Sequence, residues 1–343
     1  MPIKTAVLGY GRSGSTLHAG PIEELPDFEM TAVCDIDPDA RVKAFNRFGC
    51  KIYENYADML EKESLDLVVI VTRSDQHCQM ACDCLNAGTN VLVTKPWAIN
   101  ADEAKRMIAA AKGSGKMLLP WLPARWGSDL NRLKELISSG VIGNVFQVRR
   151  SEYSFAVRHD WQTLKKYGGG YLLNWGPHLV DQPVQLIGQN VKSVYGHMKQ
   201  VINPGDVEDV FYAVMKTDGN VTIISEYNIC APCLPNWVVQ GDKGTIFVDN
   251  DSIQIHKAKF ADTDDSGSYG DQAEIEIVND AVDGGNIINM DNRYGDPLAV
   301  YPHIARAVRG EAPYAVTLDS ALHLSEILDA VRASAQTGEA VRL

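Results

Sequence analysis

Short apolar runs recur along the first third of the chain, each followed by a stretch with helical spacing. The strand-like runs are Ile3–Leu8, Glu29–Cys34, Leu67–Val71, Asn90–Val93 and Met117–Leu119. Helical patterns begin near Ser13, near Asp39, near Asp75 and after Asn100, where Asn100 and Glu103 are spaced for a capping box. Strands alternating with helices through short connections predict parallel pairing and a doubly wound sheet.

After Pro120 the rhythm changes. A helix over Ser128–Ser139, apolar at Leu130, Leu133, Leu136 and Ile137, leads into a strand over Val145–Tyr153 and then a helix from about Gly170 to Leu186. Six strand-like runs follow with no helix between them: Val191–Val201, Val210–Lys216, Val221–Asn228, Val238–Gly241, Thr245–Val248 and Ile253–His256. Asp218-Gly219 and Asn250-Asp251 are the turn signals between neighbours. Such a run of strands predicts an α+β domain with a large, mostly antiparallel open sheet and helices on one face. Helices over Ala299–Arg309 and Ser320–Gln336 close the chain. The expected division is residues 1–121 and 122–343.

Length and charge narrow the function. The chain has 343 residues, suited to two hydrophobic cores. A net charge of −12 argues against a partner that is tracked through its phosphates, so no nucleic acid is expected. No apolar run reaches the length of a membrane helix, and Met1 leads straight into a strand without an export signal, which points to the cytoplasm. Seven cysteines are scattered. Cys78, Cys82 and Cys84 read as buried or half-buried helix residues, and Cys230-Ala-Pro-Cys233 has redox spacing without the usual helix start, so a structural role is expected. The acidic, glycine-bearing stretch Asp262–Asp271 reads as a solvated loop, and no metal site is expected.

Gly9-Tyr10-Gly11-Arg12-Ser13-Gly14 lies between an apolar strand and a helix. In a Rossmann turn the first glycine permits the bend, the second lets backbone approach a pyrophosphate, and the third allows close packing of helix on strand. Unpaired N–H groups at the helix start would face the phosphates. Asp35 ends the second strand 21 residues after Gly14, where a carboxylate accepts from adenosine ribose hydroxyls and repels a 2′-phosphate. NAD is therefore expected over NADP, although Arg12 could assist a phosphate or stack on adenine.

Thr94-Lys95-Pro96 follows the strand Asn90–Val93, at the carboxyl edge of the parallel sheet where such folds bind ligands. Further on, Gly168-Gly169-Gly170 precedes Asn174, Trp175, Gly176, Pro177, His178 and Asp181. On a helix, Asn174, His178 and Asp181 share a face, and three polar groups on one face favour a site. Pro177 would bend that helix or lie near its start.

Together, Gly9–Gly14, Asp35, Thr94-Lys95-Pro96, Arg125-Trp126 and Gly168–Asp181 resemble the Gfo/Idh/MocA oxidoreductase family. The motifs cover about residues 1–190. The resemblance implies an NAD-binding Rossmann domain, a second domain whose open sheet often mediates homodimer or homotetramer contacts, and substrates that are sugars, sugar derivatives or cyclitols. The lysine of the family's Glu-Lys-Pro motif falls on Lys95, the histidine of its Asp-x-x-x-His motif on His178, and the acidic residue three positions later on Asp181. Three positions depart from the pattern: Thr94 replaces Glu, Arg73 replaces the Pro after Thr72, and Asn174 stands where the family has Asp.

The candidate catalytic residues are Lys95, His178 and Asn174. Candidate cofactor contacts are Gly9, Tyr10, Gly11, Arg12, Ser13, Gly14, Asp35, Thr72, Arg73, His77, Lys95 and Pro96. Arg125, Tyr153, Trp161, Asn174, His178 and Asp181 join Lys95 as candidate substrate contacts, with Trp121, Trp126, His159 and Trp175 as further polar or aromatic choices for a sugar pocket. The expected activity is hydride transfer between NAD and a secondary alcohol of a sugar or cyclitol. Two alternatives stand beside it: an NAD-dependent glycosidase or lyase working by transient oxidation, and a non-catalytic NAD-binding sensor motivated by Asn174.

Overall fold

A computed structural model describes residues 1–260, 272–280 and 292–343. The strands are β1 (Ile3–Leu8), β2 (Phe28–Cys34), β3 (Lys51–Tyr53), β4 (Leu67–Ile70), β5 (Asn90–Val93), β6 (Leu118–Pro120), β7 (Val145–Tyr153), β8 (Val191–Lys199), β9 (Val210–Thr217), β10 (Thr222–Asn228), β11 (Trp237–Gly241), β12 (Gly244–Asp249), β13 (Ser252–Lys259), β14 (Glu274–Asn279) and β15 (Val341–Arg342). The helices are α1 (Ala19–Glu24), α2 (Pro38–Phe48), α3 (Tyr56–Lys62), α4 (His77–Asn86), α5 (Ala101–Ser114), α6 (Ser128–Ser138), α7 (Tyr171–Leu179), α8 (Asp181–Ile187), α9 (Pro297–Val308) and α10 (Leu318–Thr337).

The chain forms two compact units. The first gathers Met1–Pro123, Asp160–Pro177 and Asp296–Asp329; the second gathers Ala124–His159, His178–Gly295 and Ala330–Leu343. The first unit holds a six-stranded parallel sheet in the order β3-β2-β1-β4-β5-β6. Leu67–Ile70 is buried along its whole length, as a strand covered on both faces must be. Local signals place the helices. Asp37 accepts from the Asp39 N–H ahead of Pro38 to start α2, and Gly49 ends it in the left-handed conformation. Asn100 accepts from the Glu103 N–H at 2.8 Å, while the Glu103 carboxylate reaches back to the Ile99 N–H at 3.3 Å, one residue earlier than a standard capping box. The helix expected near Ser13 starts as a widened π-type turn, Gly14–His18, that runs into α1.

The second unit holds a nine-stranded sheet in the order β14-β13-β12-β11-β7-β10-β9-β8-β15. Its pairs are antiparallel except for β7 with β10, which run parallel. Leu130, Leu133 and Leu136 of α6 and Leu186 of α8 pack with Val148, Trp237, Val239, Ile246 and Val248 of the sheet. The sequence omits β3, β14 and β15. The first two are edge strands with largely exposed side chains, and β15 has two residues, so none carries the buried apolar run that marks a strand.

The single helix expected over Gly170–Leu186 is two, α7 and α8, with the break at Val180. Pro183 has no N–H to offer the Leu179 carbonyl, which accepts instead from the Ser225 hydroxyl at 2.8 Å. Pro177 lies inside α7. All seven cysteines are unpaired. Asp262–Asp271 lies outside the described residues. Among the described residues no helix is long and apolar enough to cross a membrane.

Candidate active site

Three glycines shape the turn after β1. Gly9 has φ +90°, and a Cβ there would lie 2.7 Å from the Val71 carbonyl oxygen; a Cβ on Gly14 would lie 2.0 Å from the Gly9 oxygen. Both positions therefore exclude any side chain. A Cβ on Gly11 would meet nothing within 4 Å, so bare backbone there borders open space. That is the surface a pyrophosphate needs, and the turn fits a dinucleotide. Arg12 is exposed and Ser13 half-buried. Tyr10 enters through its backbone: its N–H donates to the Asp35 carboxylate at 2.6 Å, while its ring is buried edge-on against Phe48.

Asp35 also accepts from the Asp37 N–H at 2.9 Å, which fixes its carboxylate at the end of β2. Arg41, the neighbouring cation, donates to the Asp35 and Ile36 carbonyls and pairs with Glu54. Its charge is thus committed elsewhere.

At the exits of β4 and β5 the backbone is tied together by His77. The ring is buried, with Nδ1 2.8 Å from the Pro96 carbonyl and Nε2 3.0 Å from the Thr72 carbonyl. Burial lowers its pKa, against the pull of the two carbonyls. A neutral imidazole can donate to only one of them. The side chain is sealed, so His77 shapes the ligand edge through Thr72 and Pro96. The Lys95–Pro96 peptide is cis.

Thr94, where the family pattern has Glu, is 3.2 Å from Nε2 of His18, whose Nδ1 is 3.0 Å from the Tyr301 hydroxyl. His18 is fully buried against Trp121 and Tyr301, and desolvation lowers its pKa to about 3. A neutral imidazole suits a threonine hydroxyl. This network also accounts for Trp121, which is core and not pocket.

The Lys95 ammonium donates to the Asn174 side-chain oxygen at 2.7 Å and to the Asn174 backbone carbonyl at 3.0 Å. The glycines of 168–170 bring the chain into α7 so that Asn174 meets a lysine 79 residues earlier. The sequence groups Asn174 with His178 and Asp181; the structure pairs it with Lys95, with an amide where the family pattern has a carboxylate.

In the second unit, His178 is buried near the end of α7, its ring 5.0 Å from that of Tyr294 and tilted by 47°. Asp181 and Arg125 form a bidentate pair, both contacts at 2.8 Å, with side chains only 1% and 9% exposed. Gln185 adds a donor at 3.2 Å. Lys134 is lowered in pKa by burial first and then by the Arg125 charge. Tyr153 and, in the first unit, Trp161 and Trp175 are half-buried; Trp126 is half-buried and His159 exposed.

Sequence reasoning misses a buried polar network in this unit. Arg150 is fully buried on β7, donating to Gln182 at 3.0 Å, the Ser151 carbonyl at 2.7 Å and the Tyr294 hydroxyl at 3.1 Å. Tyr294 donates in turn to Glu152, and burial first of all raises its pKa. In a strand that reads Val-Arg-Arg-Ser-Glu, nothing in the pattern separates the buried arginine from a solvated one.

Comparison with known proteins agrees with the geometry. Residues 3–120 match the family model described as "Oxidoreductase family, NAD-binding Rossmann fold", and residues 130–247 match the corresponding GFO/IDH/MocA C-terminal domain. An uncharacterized oxidoreductase of Schizosaccharomyces pombe is 30% identical over 71% of this chain and 69% of its own. The scyllo-inositol 2-dehydrogenase (NADP(+)) IolW of Bacillus subtilis is 22% identical over 99% of this chain and 96% of its own. The WlbA dehydrogenase of Chromobacterium violaceum, solved with NADH and UDP-GlcNAcA, superposes with a TM-score of 0.81 at 24% identity, covering 100% and 96% of the two chains.

Proposed function

Because the chain belongs to the Gfo/Idh/MocA oxidoreductase family, we propose that it moves a hydride between NAD and a secondary alcohol of a sugar, sugar derivative or cyclitol. The observation that carries this reading is the Lys95 ammonium, fixed by two Asn174 oxygens at the carboxyl edge of the parallel sheet. The glycine turn that fits a dinucleotide opens from the same sheet. When bound, the nicotinamide supplies the hydride-accepting carbon.

The chain supplies the rest. Backbone of Gly9–Gly14 would hold the pyrophosphate, Asp35 the adenosine ribose, and Thr72 and Pro96 the nicotinamide end. Lys95 orients the substrate hydroxyl and stabilises the developing alkoxide. His178, four residues after Asn174 on α7, takes the hydroxyl proton as general base. Asn174 positions Lys95 without adding negative charge. Arg125 and Asp181, candidate substrate contacts carried by the second unit, neutralise each other's charge.

The Asp35 carboxylate favours NAD, whereas IolW is named for NADP(+). The decisive screen therefore runs both coenzymes against cyclitols, aldoses and glycosides, reading reduced coenzyme by absorbance. Reduced NAD appearing with a polyol supports the proposal. Release of an aglycone from glycosides without reduced coenzyme accumulating would replace it with transient oxidation. Coenzyme binding with no turnover on any alcohol would replace it with a sensor.

A further inference from the structure

Arg73 stands where the family pattern has proline; the sequence offers it as a coenzyme contact, and no hydrogen bond or ion pair of the site described above uses it. It follows Thr72 at the exit of β4, and its guanidinium carbon lies 4.3 Å from the ring centroid of Tyr167. The Lys166 ammonium lies 4.7 Å from the same centroid. The chain carries 44 acidic against 32 basic residues, so carboxylates are plentiful. Arg41, Arg47, Arg125, Arg132 and Arg309 each pair with one. Among the described residues, Arg73 and Lys166 do not; even Asp75, two positions from Arg73, forms no ion pair with either.

We propose that Arg73 and Lys166, gathered on Tyr167, form a receptor for an anionic group on the substrate, so that the alcohol oxidised belongs to an acidic sugar or cyclitol bearing a carboxylate or phosphate. The chemistry favours an anion over a neutral hydroxyl. Stacking occupies the face of a guanidinium and leaves its five N–H donors in the plane, where they match a carboxylate or phosphate edge. The aromatic ring also restricts the side chain, so less freedom is lost when an anion arrives. A second cation on the same ring raises the local potential for one more negative group.

The placement ties the receptor to the reacting groups of the same unit. A Cβ on Gly168 would lie 2.8 Å from Ile99 Cγ2 and 2.9 Å from Ser74 Cβ. The turn carrying Lys166 and Tyr167 is therefore packed on the bend after Arg73 and on the segment after Lys95-Pro96. From Gly168 the chain runs directly into α7, where Asn174 holds Lys95. Lys166 and the Asn174 that holds Lys95 thus share one stretch of chain, and its Gly168 packs on the segments that follow Arg73 and Lys95.

This inference rests on the dehydrogenase reading for the word substrate; the anion site itself does not. The coenzyme pyrophosphate has the same chemistry and is the alternative source, so the test separates them. Calorimetry on the NAD-loaded protein would compare D-glucuronate and D-glucose 6-phosphate with D-glucose, and NADH binding would be followed by fluorescence. The same titrations would be run on Arg73→Gln and Lys166→Gln, the latter an exposed residue whose change leaves folding alone. At least one acidic sugar should bind about tenfold or more tighter than glucose, a gap of about 1.4 kcal/mol. The Arg73 variant should lose most of that preference and the Lys166 variant part of it, with glucose and NADH affinities unchanged. Equal binding of acidic and neutral sugars by the wild type overturns the proposal. A tenfold loss of NADH affinity in Arg73→Gln, with the sugar preference intact, assigns the cations to the coenzyme and also overturns it. Failure of the dehydrogenase reading looks different: the binding preference survives while no sugar of either kind yields reduced coenzyme.

Discussion

Changing Asn174 to Asp exchanges a neutral oxygen for a carboxylate 2.7 Å from the Lys95 ammonium. At an effective dielectric of about 20 two unit charges at that distance attract by about 6 kcal/mol, an upper limit for a half-buried pair. Two effects reduce it. The asparagine dipole already favours the ammonium, and the new carboxylate must shed water. A carboxylate beside a cation typically shifts a pKa by about 1–3 units, or about 1.4–4 kcal/mol. The sign is upward, because the added anion favours the charged lysine. The alkaline limb of the kcat/KM profile should move to higher pH by about that amount in Asn174→Asp, if the Lys95 ammonium stabilises the alkoxide. Carbon chemical shifts of the lysine side chain, followed by NMR titration with Lys95→Met as the assignment control, should show the same displacement. An unmoved alkaline limb together with an unmoved lysine titration would refute the coupling of Asn174 to Lys95.

Other consequences follow from the same geometry. His18 is buried neutral, desolvation lowering its pKa from the ordinary imidazole value of about 6.5 to about 3, so the unfolded chain binds a proton first as pH falls. Stability should therefore decline below about pH 6.5 and keep declining toward the folded value, by about 2 kcal/mol at pH 5 from this residue. Urea titrations should show that slope flattened in His18→Gln; an identical slope in both proteins would exclude His18 as its source. Arg125→Met leaves the buried Asp181 charge without its bidentate partner and should cost about 3–5 kcal/mol of unfolding free energy, with Arg125→Met/Asp181→Leu recovering most of it. Equal losses in the single and double variants would mean packing, not charge, sets the cost. Gly14→Ala drives a Cβ to 2.0 Å from the Gly9 oxygen and should lower both stability and NADH affinity, whereas Gly11→Ala meets nothing within 4 Å and should fold normally. Its NADH affinity should still fall by about tenfold, because the methyl occupies the surface offered to the pyrophosphate. Normal NADH binding by Gly11→Ala would remove that turn from the coenzyme site.

The parts of the fold legible in the sequence are those that obey one strong rule. Continuous apolar runs such as Leu67–Ile70 mark a strand buried on both faces, and consecutive strands without helices mark the antiparallel sheet. Edge strands escape because they bury little: Ile275 and Ile277 of β14 are exposed. Pro183 could have announced the break between α7 and α8, but the helical spacing on both sides hides it. In the site, motif positions single out Lys95 and Asn174 one by one, and the fold brings them into contact. What the pattern cannot give is which way a polar side chain turns. His77 stands among motif residues yet is sealed between two carbonyls, and Arg150 reads as a surface charge yet is buried against Trp237 and Tyr294. Tyr294 is absent from any motif; its hydroxyl is held between Arg150 and Glu152 and its ring lies 5.0 Å from that of His178.

The most direct test of the account follows the hydrogen itself. Inositols, aldoses and acidic sugars deuterated at their carbinol carbons would be incubated with the protein and NAD, and the coenzyme analysed by mass spectrometry. Deuterium should appear in reduced NAD with at least one of these alcohols, and the signal should fall by about a hundred to ten-thousandfold in Lys95→Ala while NADH still binds. Reduced coenzyme that carries no deuterium from carbon, or undiminished transfer without Lys95, would contradict the account.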